Sequence, residues 1–291
     1  MKGRSRTIPE AVKREVRRSC GFGCVVCGMP IFHYDHIVEF AEGGEHAVEN
    51  LALLCPNHHQ DKTSGRLSRN SVAARRANPH NLRRGMTPGY ALARGEAIET
   101  HLGNLIVKDG EGGEDFHVLS INGNSFLTVH HEEGGVTFSA RLTDDEGRTL
   151  LRVDHGSLSV STQVWDYRYE GTRLSIRTEA GRIALEADFT DELVRFARGL
   201  FIDRNETGLR VRPNGSLVMV LDRLEVGSIQ GGRMGRYPKG ALAVVRESLF
   251  SFPLHPDGYA FARIIPQHAE RQLQRMKGKL TREKRGSSEP A

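Results

Sequence analysis

Hydrophobic and polar positions near the N-terminus repeat with the period of a helix. Ile8, Val12 and Val16 recur at the spacing of one helical face, and Gly21 follows as a break. Thr7 with Glu10 three residues later has the spacing of a capping box, so we expect Thr7 to be the N-cap. The pattern predicts a short helix ahead of the first CxxC pair.

The next segment alternates in a way that favours two short strands and a second helix. Residues 31–40 predict a strand, Gly43-Gly44 a turn, and residues 50–54 a second strand or a loop. Pro56 is tolerated in a first helical turn, so a helix is expected to begin at Cys55-Pro56.

Residues 71–100 are polar and Arg-rich, which predicts a connector with a short helix at Ser71–Ala77. From residue 101 the chain changes to short alternating runs separated by Gly, Asn and Asp, which predict antiparallel strands and hairpins. Three such hairpins begin at Leu150, Leu174 and Leu209, and residues 191–200 are expected to form a short helix.

The fold class predicted from these patterns is α+β, with a small N-terminal domain and a mostly antiparallel β-rich region. The expected ranges are 1–70 for the first domain, 71–100 for the connector, 101–265 for the β-rich accessory domain and 266–291 for a basic tail.

Charge is distributed unevenly along the 291 residues, whose net formal charge is +5. Residues 1–100 hold 15 Lys and Arg against 10 Asp and Glu, whereas residues 101–269 hold 19 against 23. A basic first third suits a polyanionic partner. No run approaches the roughly 18 apolar residues that a membrane helix needs, and the first residues lack the apolar core of a signal peptide.

The spacing of cysteine and histidine predicts a four-ligand metal site. Cys24-x-x-Cys27 and Cys55-x-x-His58 are two tight pairs, and each can present two side chains to one ion. Sulfur and imidazole in this arrangement are typical of structural Zn²⁺. Cys20 lies outside the pattern and is expected to be a buried thiol. With four cysteines in all, a disulfide framework is not expected, and we predict a cytoplasmic protein.

Cys55 and His58 lie one turn apart on the predicted helix and can share one ion. His59 is about 100° further round the same helix, so it should point to a different site. Asp35-His36 and Asn50 lie between the two metal-ligand pairs.

These residues resemble the zinc-stabilised HNH endonucleases, whose fold is the ββα-metal fold. The family pattern is Cys-x-x-Cys, Asp/Glu-His, Asn and Cys-x-x-Cys/His-His, and this chain meets it with His58 where many members have cysteine. The resemblance covers roughly residues 8–70.

The resemblance implies that Asp35 and His59 hold a catalytic divalent ion, Mg²⁺ or another, beside a phosphate. It also implies that His36 is the general base that takes a proton from the attacking water. Asn50 would either orient His36 or complete the metal shell, and the sequence leaves both roles open.

Basic residues after this core are candidates for nucleic-acid contact, because Lys and Arg neutralise backbone phosphates. They are Lys62, Arg66, Arg69, Arg75 and Arg76. The expected partner is double-stranded DNA.

The predicted function is a metal-dependent DNA endonuclease, with a role in prokaryotic defence or restriction inferred from architecture alone. Two alternatives stay open at this point. One is a nucleic-acid-binding zinc module without catalysis. The other is a sensor or scaffold in which the β-rich region, with a partner protein or small ligand bound, gates the nuclease. No membrane partner is expected.

Overall fold

The computed structural model describes residues 7–108, 113–229, 232–234, 241–244 and 260–262. These residues fall into two compact units, and each unit takes two separate stretches of chain. Unit 1 contains the described residues up to Ala93 together with Thr149–Thr190, and unit 2 contains Arg94–Arg148 together with those from Asp191 onward. This partition follows spatial contacts, whereas the ranges inferred above follow composition and stay a prediction.

Within the described residues there are three α-helices and twenty β-strands. The helices are α1 (Glu10–Ser19), α2 (Pro56–Thr63) and α3 (Arg69–Ala77). The first ten strands are β1 (His33–His36), β2 (Leu51–Leu54), β3 (Tyr90–Ala91), β4 (Glu99–Leu102), β5 (Leu105–Lys108), β6 (Phe116–Ile121), β7 (Asn124–Glu132), β8 (Gly135–Thr143), β9 (Thr149–Asp154) and β10 (Ser157–Val160). The remaining ten are β11 (Asp166–Glu170), β12 (Arg173–Glu179), β13 (Arg182–Phe189), β14 (Leu193–Ile202), β15 (Thr207–Val211), β16 (Leu217–Leu221), β17 (Leu224–Ile229), β18 (Gly232–Met234), β19 (Leu242–Val244) and β20 (Ala260–Ala262).

Helix α1 begins later than the capping box predicted. Its N-cap is Pro9, in an extended conformation at φ −58° and ψ 142°, and no side chain caps the helix. A residue before proline is pushed out of the helical region, so Ile8 cannot continue a helix that starts at Thr7. The prediction of Thr7 as N-cap is therefore wrong, although the helix itself is confirmed.

The N-terminal part of unit 1 is built around strand β2. Strands β1 and β2 pair antiparallel, with Asp35 opposite Ala52, and every residue of β2 is buried. Helix α2 follows directly, and α3 packs its buried residue Val72 into the same core. The order helix, strand, strand, helix is the predicted one.

Unit 1 also contains two antiparallel groups of strands from further along the chain. Strand β10 pairs with β9 and β3, and β12 pairs with β11 and β13. Two of the three predicted hairpins lie here. The third is β15–β16 in unit 2.

Unit 2 is made of strands in the residues that the structure describes. Strands β6, β7 and β8 form one antiparallel group, to which β19 and β20 add parallel strands. Strands β14 to β17 form a second antiparallel group, and β4 joins it parallel to β14. Few helices and a large antiparallel β region confirm the α+β class.

Residues 191–200 were expected to form a helix and instead contribute most of β14. Val194 and Phe196 are fully buried while Arg195 between them is exposed. This two-residue alternation is the period of a strand with one face in the core. The helix prediction is wrong because it missed that alternation.

A chain of hydrogen bonds in unit 2 joins Asp115, His130 and Ser139. Asp115 Oδ2 lies 2.7 Å from His130 Nδ1, and His130 Nε2 lies 2.8 Å from Ser139 Oγ. A carboxylate, a histidine and a hydroxyl bonded in this order are the groups of a catalytic triad, but the carboxylate of such a triad is buried. Here the Asp115 side chain is 53% exposed and that of His130 only 9%. We therefore interpret these hydrogen bonds as stabilising the fold of unit 2 and not as a catalytic triad.

The predicted basic tail, 266–291, lies outside the described residues. No helix in the described part of the chain is both long and apolar enough to cross a membrane.

Candidate metal centre and active site

Four side chains converge at the junction of β2 and α2. The ligand atoms of Cys24, Cys27, Cys55 and His58 all lie within 4.8 Å of one another. Cys27 Sγ is 3.8 Å from Cys55 Sγ, and His58 Nδ1 is 3.5 Å from Cys24 Sγ. Ligands placed about 2.3 Å from one tetrahedral ion would be about 3.8 Å apart, so the four residues fit Zn²⁺.

Backbone bonds shape the turn that carries the first two cysteines. Gly28 N donates to Cys24 O at 2.7 Å, and Gly28 has a φ of +82°, where glycine is favoured. The buried Asn81 amide donates to Gly21 O and Gly28 O at 3.0 and 2.8 Å. Asn81 therefore fixes this turn from 53 residues away, and no local signal in the sequence marked it.

The thiols of the cluster are close enough to influence one another. A hydrogen bond with Cys27 lowers the pKa of Cys24 to about 4, and the same contact raises the pKa of Cys27. Cys20 is fully buried outside the cluster, and burial raises the pKa of its thiol to about 11. Its place in the core agrees with a buried thiol.

Helix α2 separates its two histidines as the helical period requires. His58 faces the cysteines, whereas His59 Nε2 lies 3.6 Å from Asp35 Oδ1. Asp35 is 7% exposed, and burial raises the pKa of its carboxyl against the lowering effect of Lys62. The structure thus brings Asp35 and His59 together as a pair distinct from the Cys3His cluster.

Lys62 lies one turn after His59 and points inward. Its Nζ is 2.9 Å from Asp35 Oδ2 and donates to His36 O at 2.6 Å and to Glu39 Oε1. Its side chain is 7% exposed. The amine that the sequence suggested for DNA contact is therefore surrounded by protein oxygens.

His36 ends strand β1 and contacts a histidine that the sequence did not single out. His36 Nε2 lies 3.0 Å from His46 Nδ1, and the His46 ring stacks on Phe40 with centroids 4.9 Å apart. Burial, and then the neighbouring His46, lower the pKa of His36. His46 was missed because it comes from the loop between the strands, where no spacing indicates a partner.

Asn50 fastens that same loop through its side-chain amide. Its Oδ1 accepts from Val38 N at 2.8 Å, and its Nδ2 donates to Val38 O and Glu45 O at 3.1 and 3.0 Å. Each contact is to backbone of the segment that separates His36 from β2. The amide therefore orders the loop around His36.

The basic candidates differ in what they touch. Arg66 pairs with Asp61 at 2.8 Å and Arg69 with Glu42 at 2.7 Å, both at the surface. Arg76 turns inward and donates to Leu51 O at 2.8 Å. Arg75 is exposed and forms no ion pair within the residues that the structure describes, and the same holds for Arg83 and Arg84.

Comparison with known proteins agrees with this geometry over one segment. Residues 20–65 match the family model described as HNH endonuclease. Searches among curated proteins and among solved structures found no match. The matched residues include the Cys3His cluster, the Asp35–His59 pair, His36 and Asn50. The chain therefore carries an HNH endonuclease domain at residues 20–65, with a Cys3His cluster of the kind that binds zinc and a β-rich extension after it.

Proposed function

We propose that this protein is a metal-dependent endonuclease that hydrolyses DNA phosphodiester bonds. The observation that supports it most is the Asp35–His59 pair, whose side chains are 3.6 Å apart. His36, the third residue of the proposed mechanism, follows Asp35 on β1. A zinc module that only bound nucleic acid would need none of these three residues. The Cys3His cluster uses four other residues, so the pair is available for chemistry.

Asp35 and His59 would hold the catalytic ion. A buried carboxylate oxygen suits Mg²⁺, and the imidazole nitrogen that faces it suits a transition-metal ion, so the pair could hold one divalent ion. When bound, such an ion neutralises charge that grows on the phosphate and the leaving oxygen. His59 is 42% exposed, which leaves this side of the pair open to a substrate.

His36 would act as the general base. If its Nε2 carries the hydrogen of the bond to His46 Nδ1, then its Nδ1 is the unprotonated nitrogen. Nδ1 would then accept the proton of the attacking water. Burial and His46 lower the pKa of His36, which favours the neutral ring, the form that a base requires.

Asn50 would serve the base indirectly. Its amide joins Val38 to Glu45 and so closes the loop that brings His46 and Phe40 against His36. Of the two roles left open by the sequence, this favours orientation of His36.

DNA contact is proposed for the exposed arginines that form no ion pair among the residues that the structure describes. Arg75 on α3, with Arg83 and Arg84, offers guanidinium groups to backbone phosphates. Arg66 and Arg69 could exchange surface carboxylates for phosphates at small cost, since such pairs contribute roughly 0–1 kcal/mol. Double-stranded DNA is the proposed substrate.

The biological setting is proposed from architecture. A nuclease domain followed by a β-rich extension suits a defence or restriction enzyme. A partner protein or small ligand bound to the extension would regulate its DNA cleavage. The free thiols of the cluster suit the reducing cytoplasm.

Plasmid cleavage tests this function. Supercoiled plasmid is incubated with Mg²⁺ and the full chain, either wild type or His36→Ala, with zinc content measured on each sample. Loss of a general base should lower the rate by about 10²–10⁴-fold. His101→Ala, which removes an imidazole from unit 2, serves as the matched control. An undiminished rate in His36→Ala would contradict the proposed base, and DNA binding without any cleavage would favour the non-catalytic module.

A further inference from the structure

We infer that Lys62 is a positioning residue that holds Asp35 ready for the divalent ion, and that it does not contact DNA. This inference rests on the proposed function. It concerns a side chain to which the proposed mechanism assigns no role.

The ammonium group of Lys62 is surrounded by protein oxygens, two of which accept its hydrogen bonds while the third forms an ion pair. An ammonium offers three hydrogens, and Nζ has three oxygen neighbours: Asp35 Oδ2, His36 O and Glu39 Oε1. With a side chain only 7% exposed, it would have to leave all three to reach a phosphate in solvent. Arg75 by comparison is exposed and unpaired within the described residues.

The two oxygens of Asp35 have different neighbours, and this division carries the argument. Oδ1 faces His59 Nε2 at 3.6 Å, and Oδ2 faces Lys62 Nζ at 2.9 Å. A carboxylate can rotate and exchange its oxygens unless one of them is held. The ion pair with Lys62 attracts Oδ2, so Oδ1 stays directed toward His59 and the position that an ion would share with both. Groups that orient metal ligands in this way usually change metal affinity by 10–100-fold.

Lys62 also links the elements that carry the site. It lies on α2 with His59, and it bonds the carbonyl of His36 at the end of β1. One side chain therefore connects the helix that supplies one ligand to the strand that supplies the other ligand and the base. Glu39 also forms an ion pair with Lys62 and so balances the positive charge that Lys62 brings to the site.

Mn²⁺ binding provides a test that does not depend on cleavage. The zinc-loaded full chain is titrated with Mn²⁺ by calorimetry as wild type, Lys62→Met and Lys13→Met. Lys13 is the matched control, because it is a lysine of the same unit in a surface pair with Glu10 at 2.9 Å. Lys62→Met should bind Mn²⁺ about 10–100-fold more weakly. Lys13→Met should match the wild type, and DNA affinity without added divalent ion should be unchanged in both.

Two results would overturn the inference. Unchanged Mn²⁺ affinity with weaker DNA binding would make Lys62 a phosphate contact, and tighter Mn²⁺ binding would make it a competitor of the ion. Zinc content and thermal unfolding report whether Lys62→Met is folded. If it is not, Lys62→Gln, which keeps an N–H donor but removes the charge of the ion pair, takes its place with the same expected weakening of Mn²⁺ binding.

Asp35→Asn separates this inference from the proposed function. If Asp35→Asn binds Mn²⁺ as the wild type does, the proposed metal site itself is wrong. If Asp35→Asn loses binding while Lys62→Met retains it, only the role of Lys62 is wrong.

Discussion

Arg17 and Asp166 form a buried two-pronged ion pair although 149 residues separate them. Arg17 Nε donates to Asp166 Oδ1 at 2.7 Å and its terminal nitrogen donates to Oδ2 at 2.9 Å. The side chains are 3% and 1% exposed. Arg17 also donates to the hydroxyl of Tyr34, which precedes Asp35 on β1. The strand group of β11 is therefore part of the unit that holds the candidate site.

Breaking this pair should destabilise unit 1 strongly. Asp166→Ala leaves the Arg17 charge buried without its partner, and losing one member of a buried pair costs about 3–5 kcal/mol. Asp154→Ala is the matched control, because Asp154 pairs with Arg152 at the surface, where loss costs about 1 kcal/mol or less. Urea unfolding of the full chain measures both. Equal effects of the two substitutions would show that the buried pair adds nothing.

The same pair bears on truncation of the chain. A fragment of residues 1–100 lacks Asp166 and also Tyr167, whose ring meets Phe22 edge-on at 6.5 Å. It would expose Arg17 and an apolar surface at once. We expect this fragment to retain zinc less firmly than the full chain in a chelator titration. Equal retention would show that residues 149–190 are dispensable for the fold.

Zinc content should distinguish a cysteine of the cluster from Cys20, which lies outside it. Cys55→Ser removes a cluster ligand and the N-cap of α2, so we expect less than one zinc per chain and a lower unfolding temperature. Cys20→Ala is the control, because Cys20 is a buried thiol outside the cluster. It should keep one zinc per chain, measured by plasma mass spectrometry. Loss of zinc in Cys20→Ala with retention in Cys55→Ser would reverse the ligand assignment.

Asn50→Ala should impair cleavage without removing either metal. It deletes three hydrogen bonds to the backbone of the exposed residues Val38 and Glu45, and a typical hydrogen bond contributes about 0.5–1.5 kcal/mol. We expect slower plasmid cleavage with unchanged zinc content and Mn²⁺ affinity. Asn124→Ala, at the start of β7 in unit 2, is the control. A loss of Mn²⁺ binding in Asn50→Ala would instead place Asn50 in the metal shell.

The neighbouring arginines of α3 should behave differently. Arg75→Met should weaken DNA binding and lower the salt dependence of the binding constant by about one unit of slope. Arg76→Met should destabilise the fold, since Arg76 donates to Leu51 O at 2.8 Å and to Ser19 Oγ at 2.7 Å. DNA titrations at several salt concentrations and urea unfolding measure the two effects. A destabilised Arg75→Met together with weaker DNA binding in Arg76→Met would contradict the roles given to the two arginines.

The residues of the candidate site could be predicted because their chemistry is local. Each metal-ligand pair lies within one tight turn or one turn of helix, so spacing alone brings its two side chains together. The helical period likewise separates His58 from His59 before any tertiary contact is considered. The cluster itself, the α+β class and the antiparallel hairpins follow from patterns of this short range.

Only the tertiary structure decided which side chains support the site. Lys62 has the same spacing whether it faces a phosphate or Asp35, and packing of α2 on β1 turns it inward. His46, Asn81 and the Arg17–Asp166 pair depend on contacts between segments 10 to 149 residues apart, where no periodicity applies. The sequence by itself determined the four residues of the Cys3His cluster, because short-range geometry controls them, and the base stays a prediction. Their orientation was decided by long-range packing, which local spacing does not encode.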